Sequence, residues 1–504
     1  MSEHVSVWLA GDDRPTYPPL EGDLDVDVAV VGGGITGLTT ALVLQRQGMQ
    51  VALVEADRVA SGTTGNTTGK VTSQHGLAYE RLVAQHGRHK ARLYADANQA
   101  AIETMASLAG EADVDCQFVR APAFVYALTP EQRGAVEAEH AAARSLGLPA
   151  ALTRDVDLPF PVEVALRFDG QAHVHAGRYA AALARAIAAG GGRVVERTRA
   201  TAVDEVGVRV VVRTTGGEVR ADHAVIATLL PIVDTGGFFA RARPSRSYGV
   251  AARLRQPAPA GMHLQVESPS RSTRPWIDGD QPGLVVVGES HGTGEGEPTP
   301  ARWGELERWA REHFDVESFE HRWSAQDYIT ADGVPYVGRS PRRERTYVAT
   351  GFGKWGLTNG TAAAAILADL VGGRTNPWHA AFDATRIGGL RELSRVVGDN
   401  LHVARRLVAD RLGRAHAGPA ADLGPGEGGV ATVGGRTGGA FRDAGGTLHA
   451  VTITCTHMGC TLRWNPAETS WDCPCHGSRF SYDGAVLNAP AVRPLDRIEG
   501  RDDG

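Results

Sequence analysis

The sequence predicts an α/β nucleotide-binding domain with interleaved α+β segments, followed by a small separate C-terminal domain. Two observations carry this: a glycine-rich turn between an apolar strand and an apolar helix near residue 30, and a pair of cysteine–histidine loops between residues 455 and 478. Val26–Val31 is a short apolar run suited to a buried parallel strand. Gly32-Gly33-Gly34-Ile35-Thr36-Gly37 follows at once and leads into the apolar helical stretch Leu38–Leu44. Gly32, Gly34 and Gly37 have the G-x-G-x-x-G spacing. Absent side chains there permit a tight turn, the approach of backbone amides to a pyrophosphate, and close helix packing. A second apolar strand, Val51–Val54, ends at Glu55, a carboxylate that can accept hydrogen bonds from ribose hydroxyls and disfavours a 2′-phosphate. Strand, turn, helix and acid in this order predict a dinucleotide site. They disfavour NADP but do not separate FAD from NAD.

The C-terminal loops read Cys455-Thr456-His457-Met458-Gly459-Cys460 and Cys473-Pro474-Cys475-His476-Gly477-Ser478. Four of the five cysteines lie here, and the fifth, Cys116, stands alone and reads as an inert buried thiol. Zinc is one reading of such a cluster, but a four-ligand zinc site leaves the extra cysteine of each loop without a use. The other reading is a Rieske [2Fe–2S] centre, in which two thiolates hold one iron and two imidazoles the other. The loops resemble those of Rieske proteins from quinol-oxidising cytochrome bc complexes more than those of ring-hydroxylating oxygenases. That resemblance implies Cys455, His457, Cys473 and His476 as cluster ligands and a disulfide between Cys460 and Cys475. In that respiratory group a serine and a tyrosine donate hydrogen bonds to sulfur, and such bonds raise the potential. Ser478 is present here, but Phe480 stands at the tyrosine position. A lower potential is expected, with Tyr482 a nearby partial substitute. Asn488-Ala489-Pro490-Ala491 resembles the segment that covers the cluster in that group.

Three further segments decide the dinucleotide: Ser61-Gly62-Thr63-Thr64-Gly65-Asn66-Thr67-Thr68-Gly69, Asp332–Gly338, and Thr350-Gly351-Phe352-Gly353-Lys354-Trp355-Gly356-Leu357. In this order they resemble the D-amino-acid oxidase and glycine oxidase superfamily of FAD-dependent oxidoreductases, from about residue 25 to about residue 375. The resemblance implies FAD. Gly32, Gly34, Gly37 and Glu55 would hold its ADP half, and Thr63, Thr64, Asn66 and Thr67 would approach the flavin ring. Gly351, Gly353, Gly356 and Leu357 would close over the flavin, the backbone of Val203 would meet the adenine, and Ala227-Thr228 would lie beside the pyrophosphate. Together with the C-terminal loops and the segment Trp323–Tyr328, the chain resembles the bacterial Rieske-containing FAD-dependent oxidoreductases. The fold class so implied is an α/β FAD-binding, Rossmann-like domain with an interleaved α+β substrate domain, followed by a small all-β Rieske domain.

Length and composition agree with two such parts. The 504 residues exceed a usual single domain, and flavin and cluster parts account for them. The balance of 52 basic against 58 acidic residues, with no basic block, argues against a nucleic-acid partner. No run approaches the roughly eighteen apolar residues of a membrane span, and Met1-Ser2-Glu3-His4 lacks a signal-peptide pattern. A soluble, cytoplasmic protein is expected, although disulfides are rare in that compartment. Nucleotide-binding pieces are expected at 25–75, 165–230 and 320–375, and substrate-domain pieces at 76–164 and 231–319. The 76–164 piece should contain helices Tyr79–Leu108 and Pro130–Leu146, and the 231–319 piece a strand at Leu284–Val287. A helical linker follows at 376–422, with the amphipathic stretch Leu390–Leu412, then the Rieske domain at 423–498.

A flavin accepts two electrons and the cluster one, so electrons are expected to pass from substrate to flavin to cluster and on to an external acceptor. The resemblance implies an amine or amino acid as the small-molecule substrate, oxidised at its C–N bond in a dehydrogenase rather than an oxidase manner. Lys354 occupies the place from which a basic residue grips the substrate carboxylate in amino-acid-oxidising relatives, or else is a surface lysine. Asp327 stands where glycine oxidases have a base; it either favours a cationic amine or caps a turn. His86 with His89 reads as solvated, and His173 with His175 as packing. No two-histidine–carboxylate set for mononuclear iron is evident, which argues against oxygenase activity. The alternative class is an electron-transfer or redox-sensing protein without a small organic substrate.

Overall fold

The predicted first strand forms as Leu24–Val31, with Val28 and Val30 fully buried. Val51–Val54 and Glu218–Ile226 flank it in parallel, and Arg193–Val195 and Thr346–Thr350 extend the parallel set at the two sides. Strands Ala200–Val206, Arg209–Thr214 and Tyr336–Arg339 complete an eight-stranded sheet. Valine and alanine dominate its centre because a strand covered on both faces has no polar side to present. The covering helices are Ile35–Arg46 and Gly356–Val371. They approach closely at Gly360, where a Cβ would stand 2.6 Å from Thr36 Oγ1. The computed structural model describes residues 2–3, 5–11, 14–112, 114–278, 281–295, 300–386 and 418–499.

A second, nine-stranded sheet stands against the first. Its spine is the long antiparallel pair Ala242–Leu254 and Val316–Thr330, and Gln281–Gly292, which contains the expected Leu284–Val287, pairs with the former. Arg271–Asp278 and Met262–Gln265 follow, and then Ala123–Ala127, Val164–Phe168 and Ala150–Thr153. The expected helices form as Tyr79–Gly110, kinked at Gly87, and Pro130–Ser145.

The C-terminal part consists of strands apart from one short 3-10 turn, Ala420–Asp422. Gly428–Val433, Arg436–Arg442 and Leu448–Val451 form a three-stranded antiparallel sheet. Arg463–Asn465, Ser470–Asp472, Arg479–Ser481 and Val486–Asn488 form a four-stranded one. Trp471 is fully buried between them: a Cβ on Gly439, in the three-stranded sheet, would meet its ring at 2.4 Å. One cysteine loop precedes Arg463–Asn465, and the other joins Ser470–Asp472 to Arg479–Ser481. The stretch Leu390–Leu412 lies outside the described residues. Among the described residues no helix is long and apolar enough to cross a membrane.

Candidate active site and cluster loops

A cavity of about 770 Å³ begins at the carboxyl ends of the parallel strands and runs to the second sheet, a size suited to a large cofactor with a small partner. Its first end is the glycine turn. Gly32 has φ +110°, and a Cβ there would lie 2.6 Å from Ala227 O; a Cβ on Gly37 would lie 1.9 Å from Gly32 O. Both contacts are with backbone, so only glycine fits. The N–H of Gly33 donates to Glu55 Oε2 at 2.6 Å and that of Asp57 to Glu55 Oε1 at 2.9 Å. Burial raises the Glu55 carboxyl above its usual range. Thr64 Oγ1 accepts the N–H of Ile35 at 2.9 Å, tying the small-residue loop to the start of the first helix.

Of the expected cofactor residues, Gly32, Gly34, Glu55, Thr63, Thr64, Asn66, Thr67, Gly356 and Leu357 line this cavity, as do Ala227 and Thr228. Gly37, Val203, Gly351 and Gly353 lie outside its wall. Gly351 and Gly353 shape the turn, with φ of +80° and +61°, and Val203 is buried in the edge strand beyond the lining residues Arg199 and Ala200.

At the other end Asp327 and Lys354 meet. The backbone N–H of Lys354 donates to Asp327 Oδ2 at 2.6 Å and that of Tyr328 to Oδ1 at 2.7 Å, so both carboxylate oxygens serve the turn. Burial pushes the Asp327 carboxyl up to about 6. Lys354 Nζ is exposed on the cavity side and donates to Ser290 Oγ at 2.6 Å. Two residues that the sequence analysis passed over also line this end. Lys70 is buried, with Nζ 2.7 Å from both His263 O and Ser272 Oγ. Desolvation, helped by nearby Arg274, lowers its ammonium to about 7, and no carboxylate pairs with it among the described residues. A signal was available, since Lys70 is the lone lysine, arginine or acid between Arg58 and Glu80. His75 stacks on Trp355 at 4.9 Å. Burial lowers its ring to about 3, so it is neutral; Nε2 donates to the carbonyl of Thr72, which can only accept, and Nδ1 accepts from the Tyr94 hydroxyl.

In the cysteine loops, Cys455 and Cys473 are free and buried, and Cys460 is bonded to Cys475 with Cα atoms 6.5 Å apart. Cys473 Sγ lies within 4.8 Å of both disulfide sulfurs, but a disulfide sulfur is no thiolate and offers no metal bond. The rings of His457 and His476 are 5.2 Å apart and perpendicular. The Nδ1 atoms of both are buried without a hydrogen-bond partner. The backbone N–H groups of His457 and Met458 and the Ser478 hydroxyl are directed at Cys455 sulfur, and those of Cys475 and His476 at Cys473 sulfur. Ser478 Oγ accepts from Ala491 N at 3.0 Å, which leaves its proton for the sulfur. Tyr482 packs instead on Phe441 and His449, in and beside the three-stranded sheet.

Comparison with known proteins gives this geometry its place. Residues 27–370 match the FAD dependent oxidoreductase (DAO) family. The chain belongs to that family. Residues 414–499 match the Rieske [2Fe-2S] domain. A Bacillus subtilis (strain 168) protein described as a Rieske 2Fe-2S iron-sulfur protein, YhfW, is 36% identical over 496 residues, 98% of this chain and 97% of its own. The gamma-glutamylputrescine oxidoreductase of Escherichia coli (strain K12) is 28% identical over 236 residues, 45% of this chain and 55% of its own. Among solved structures, glycine oxidase from Geobacillus kaustophilus superposes with a TM-score of 0.62 at 23% identity, covering 73% of this chain and 100% of that one. The protein is thus an FAD-dependent oxidoreductase with a C-terminal Rieske domain, and FAD and a [2Fe–2S] cluster are its cofactors.

The residues present fit both groups. The glycine cradle around Gly32 is closed to any Cβ, and the cluster loops present two free thiols and two orphaned imidazole nitrogens together. The Rieske domain is also part of the cavity wall, through Leu487, Asn488, Ala489 and Val492. Glu468 of this domain pairs with Arg246 of the second sheet at 2.5 Å and with Arg479 at 3.2 Å. Arg479 also pairs with Asp472 at 2.8 Å, so two guanidinium groups meet two carboxylates. The Phe239 ring stands 4.9 Å from His476 and 5.9 Å from His457.

Proposed function

We propose that the protein oxidises the C–N bond of a small amine or amino acid at FAD and passes the electrons through the Rieske cluster to an external one-electron acceptor. One observation carries this reading: a cavity with a dinucleotide turn at one end and two lysines at the other is closed by residues of the cluster domain. When bound, FAD supplies two-electron oxidation, and the cluster accepts single electrons at roughly −150 to +300 mV. The backbone around Gly32 and Gly34, the carboxylate of Glu55 and the loop Thr63–Thr67 would hold the FAD, with Gly37, Val203 and the turn Gly351–Leu357 supporting it. Cys455, His457, Cys473 and His476 would hold the cluster.

The substrate end favours an anion. Asp327 is the one acid among the described lining residues there, and both its oxygens accept backbone N–H groups, whereas Lys70 and Lys354 present ammonium groups. A carboxylate would give Lys70 the counter-charge that its surroundings lack, which supports an amino acid over a plain amine. Anaerobic addition of a panel of amines and amino acids to the holoprotein tests the proposal. Bleaching of the flavin, followed in stopped-flow absorbance by cluster reduction, is the expected result. Reduction by NADH or a reductase while the whole panel fails would mark an electron-transfer protein instead.

A further inference from the structure

We propose that Tyr328 and Gln326, on a strand of the FAD-dependent part of the chain, are positioning residues that clamp the cluster loop, tune the cluster, and make the Rieske domain a fixed wall of the cofactor cavity. The inference deepens the function proposed above and rests on it only for the direction of electron flow.

Both side chains leave the same face of the strand Val316–Thr330, two residues apart, and both are buried. The Tyr328 hydroxyl donates to the carbonyl of His476 at 2.8 Å. Gln326 Nε2 donates to the carbonyl of Gly477 at 2.8 Å, while its Oε1 accepts from Thr293 Oγ1 at 2.9 Å. The main-chain carbonyl of Gln326 accepts from Thr63 Oγ1 at 2.6 Å, and Thr63 belongs to the loop lining the cavity. Gln326 therefore touches the cofactor loop through its backbone and the cluster loop through its side chain. Asp327, between the two, points the other way and holds the Lys354 turn. The partition between cavity and cluster loop is one strand thick.

The fit leaves no room for sliding. Gly477 has φ +75°, and a Cβ there would lie 2.7 Å from Gln326 Nε2, from Pro244 Cβ and from Tyr328 Oη. Across the same junction a Cβ on Gly294 would lie 3.0 Å from Pro474. Swinging the Rieske domain away would break both clamp bonds and the Arg246–Glu468 pair at once, and a partial shift that kept these groups in the dry junction would leave each without its partner at its full desolvation cost. The docked arrangement is the working one. The Tyr328 O–H dipole aims its positive end at the ligand-bearing loop, which favours the reduced, more negative cluster.

The test uses full-length holoprotein poised with dithionite, so it needs no substrate, and failure of the amine panel leaves its readouts untouched. In Tyr328→Phe the cluster's midpoint potential should fall and its EPR g-values shift at unchanged iron content. In Gln326→Leu, which keeps the volume, FAD should dissociate at least tenfold more readily, and hydrogen exchange should rise at 476–478 and 487–492. An unaltered potential and spectrum in Tyr328→Phe overturns the tuning role. Unaltered FAD affinity and exchange in Gln326→Leu overturns the fixed wall.

Discussion

Lys70 is a buried ammonium whose two hydrogen-bond partners, a carbonyl and a hydroxyl, are both uncharged. Its charge is marginal near neutral pH and would be secured by a bound anion. Lys70→Met should lower kcat/KM for a carboxylate substrate by about ten- to a hundredfold, the range of one charge-assisted hydrogen bond. Because raising the pH removes the lysine proton, KM of the wild type should climb above pH 7, whereas the variant's profile should lack that limb. Steady-state kinetics from pH 6 to 9 check both. Asp327 runs in the opposite sense. Burial raises its carboxyl from 3.8 to about 6, so the folded state holds the proton more tightly than the unfolded chain. Its contribution to stability is therefore greatest below pH 4 and falls as pH rises to 6, by roughly 3 kcal/mol in all. Asp327→Asn removes that slope, and urea melts should show the variant gaining on the wild type across this window; a constant difference would refute the assignment. Asp327 was legible as a turn cap or an amine site. The choice between them needed the positions of two backbone N–H groups, which residue type does not reveal.

Among elements, the strand Val316–Thr330 and the hairpin around Glu468 hold the two parts of the molecule together. Glu468 sits between two buried guanidiniums, with side chains of Arg246 and Arg479 only 2% and 9% exposed. Glu468→Ala would leave an uncompensated positive charge in the junction and should cost about 3–5 kcal/mol, measurable as a lowered thermal midpoint. Glu468→Gln, which keeps hydrogen-bonding capacity, should lose less. Elements whose identity follows from local pattern were readable in advance: the valine strand Leu24–Val31, the helix after Gly34, the helices beginning at Tyr79 and Pro130. The two cysteine–histidine loops were readable too, because short Cys/His spacing survives without knowledge of the fold. What escaped was pairing across the chain. Strands Ala242–Leu254 and Val316–Thr330 are long, mixed in polarity, and gain their meaning only from each other and from the cluster loop packed on one face.

On the scale of the whole molecule, two cofactor sites read from opposite ends of the chain share one wall. Sequence separation carries no distance, and the residues that bring the sites together, Gln326, Tyr328 and Glu468, are polar types with many ordinary uses. Their joint effect has a kinetic consequence. If electrons cross within a single molecule, the rate constant for cluster reduction after flavin reduction is first order and independent of protein concentration. Exchange between molecules would instead scale with concentration, and for chains of net charge −6 would accelerate as salt screens their repulsion. Stopped-flow traces over a tenfold dilution, at low and high ionic strength, should superpose. Of the charges at the junction, Arg246, Glu468 and Arg479 are paired and nearly dry, so salt should not loosen it either. A rate that tracks concentration would mean that the cluster collects its electrons from a neighbouring molecule, and the shared wall would then serve packing alone.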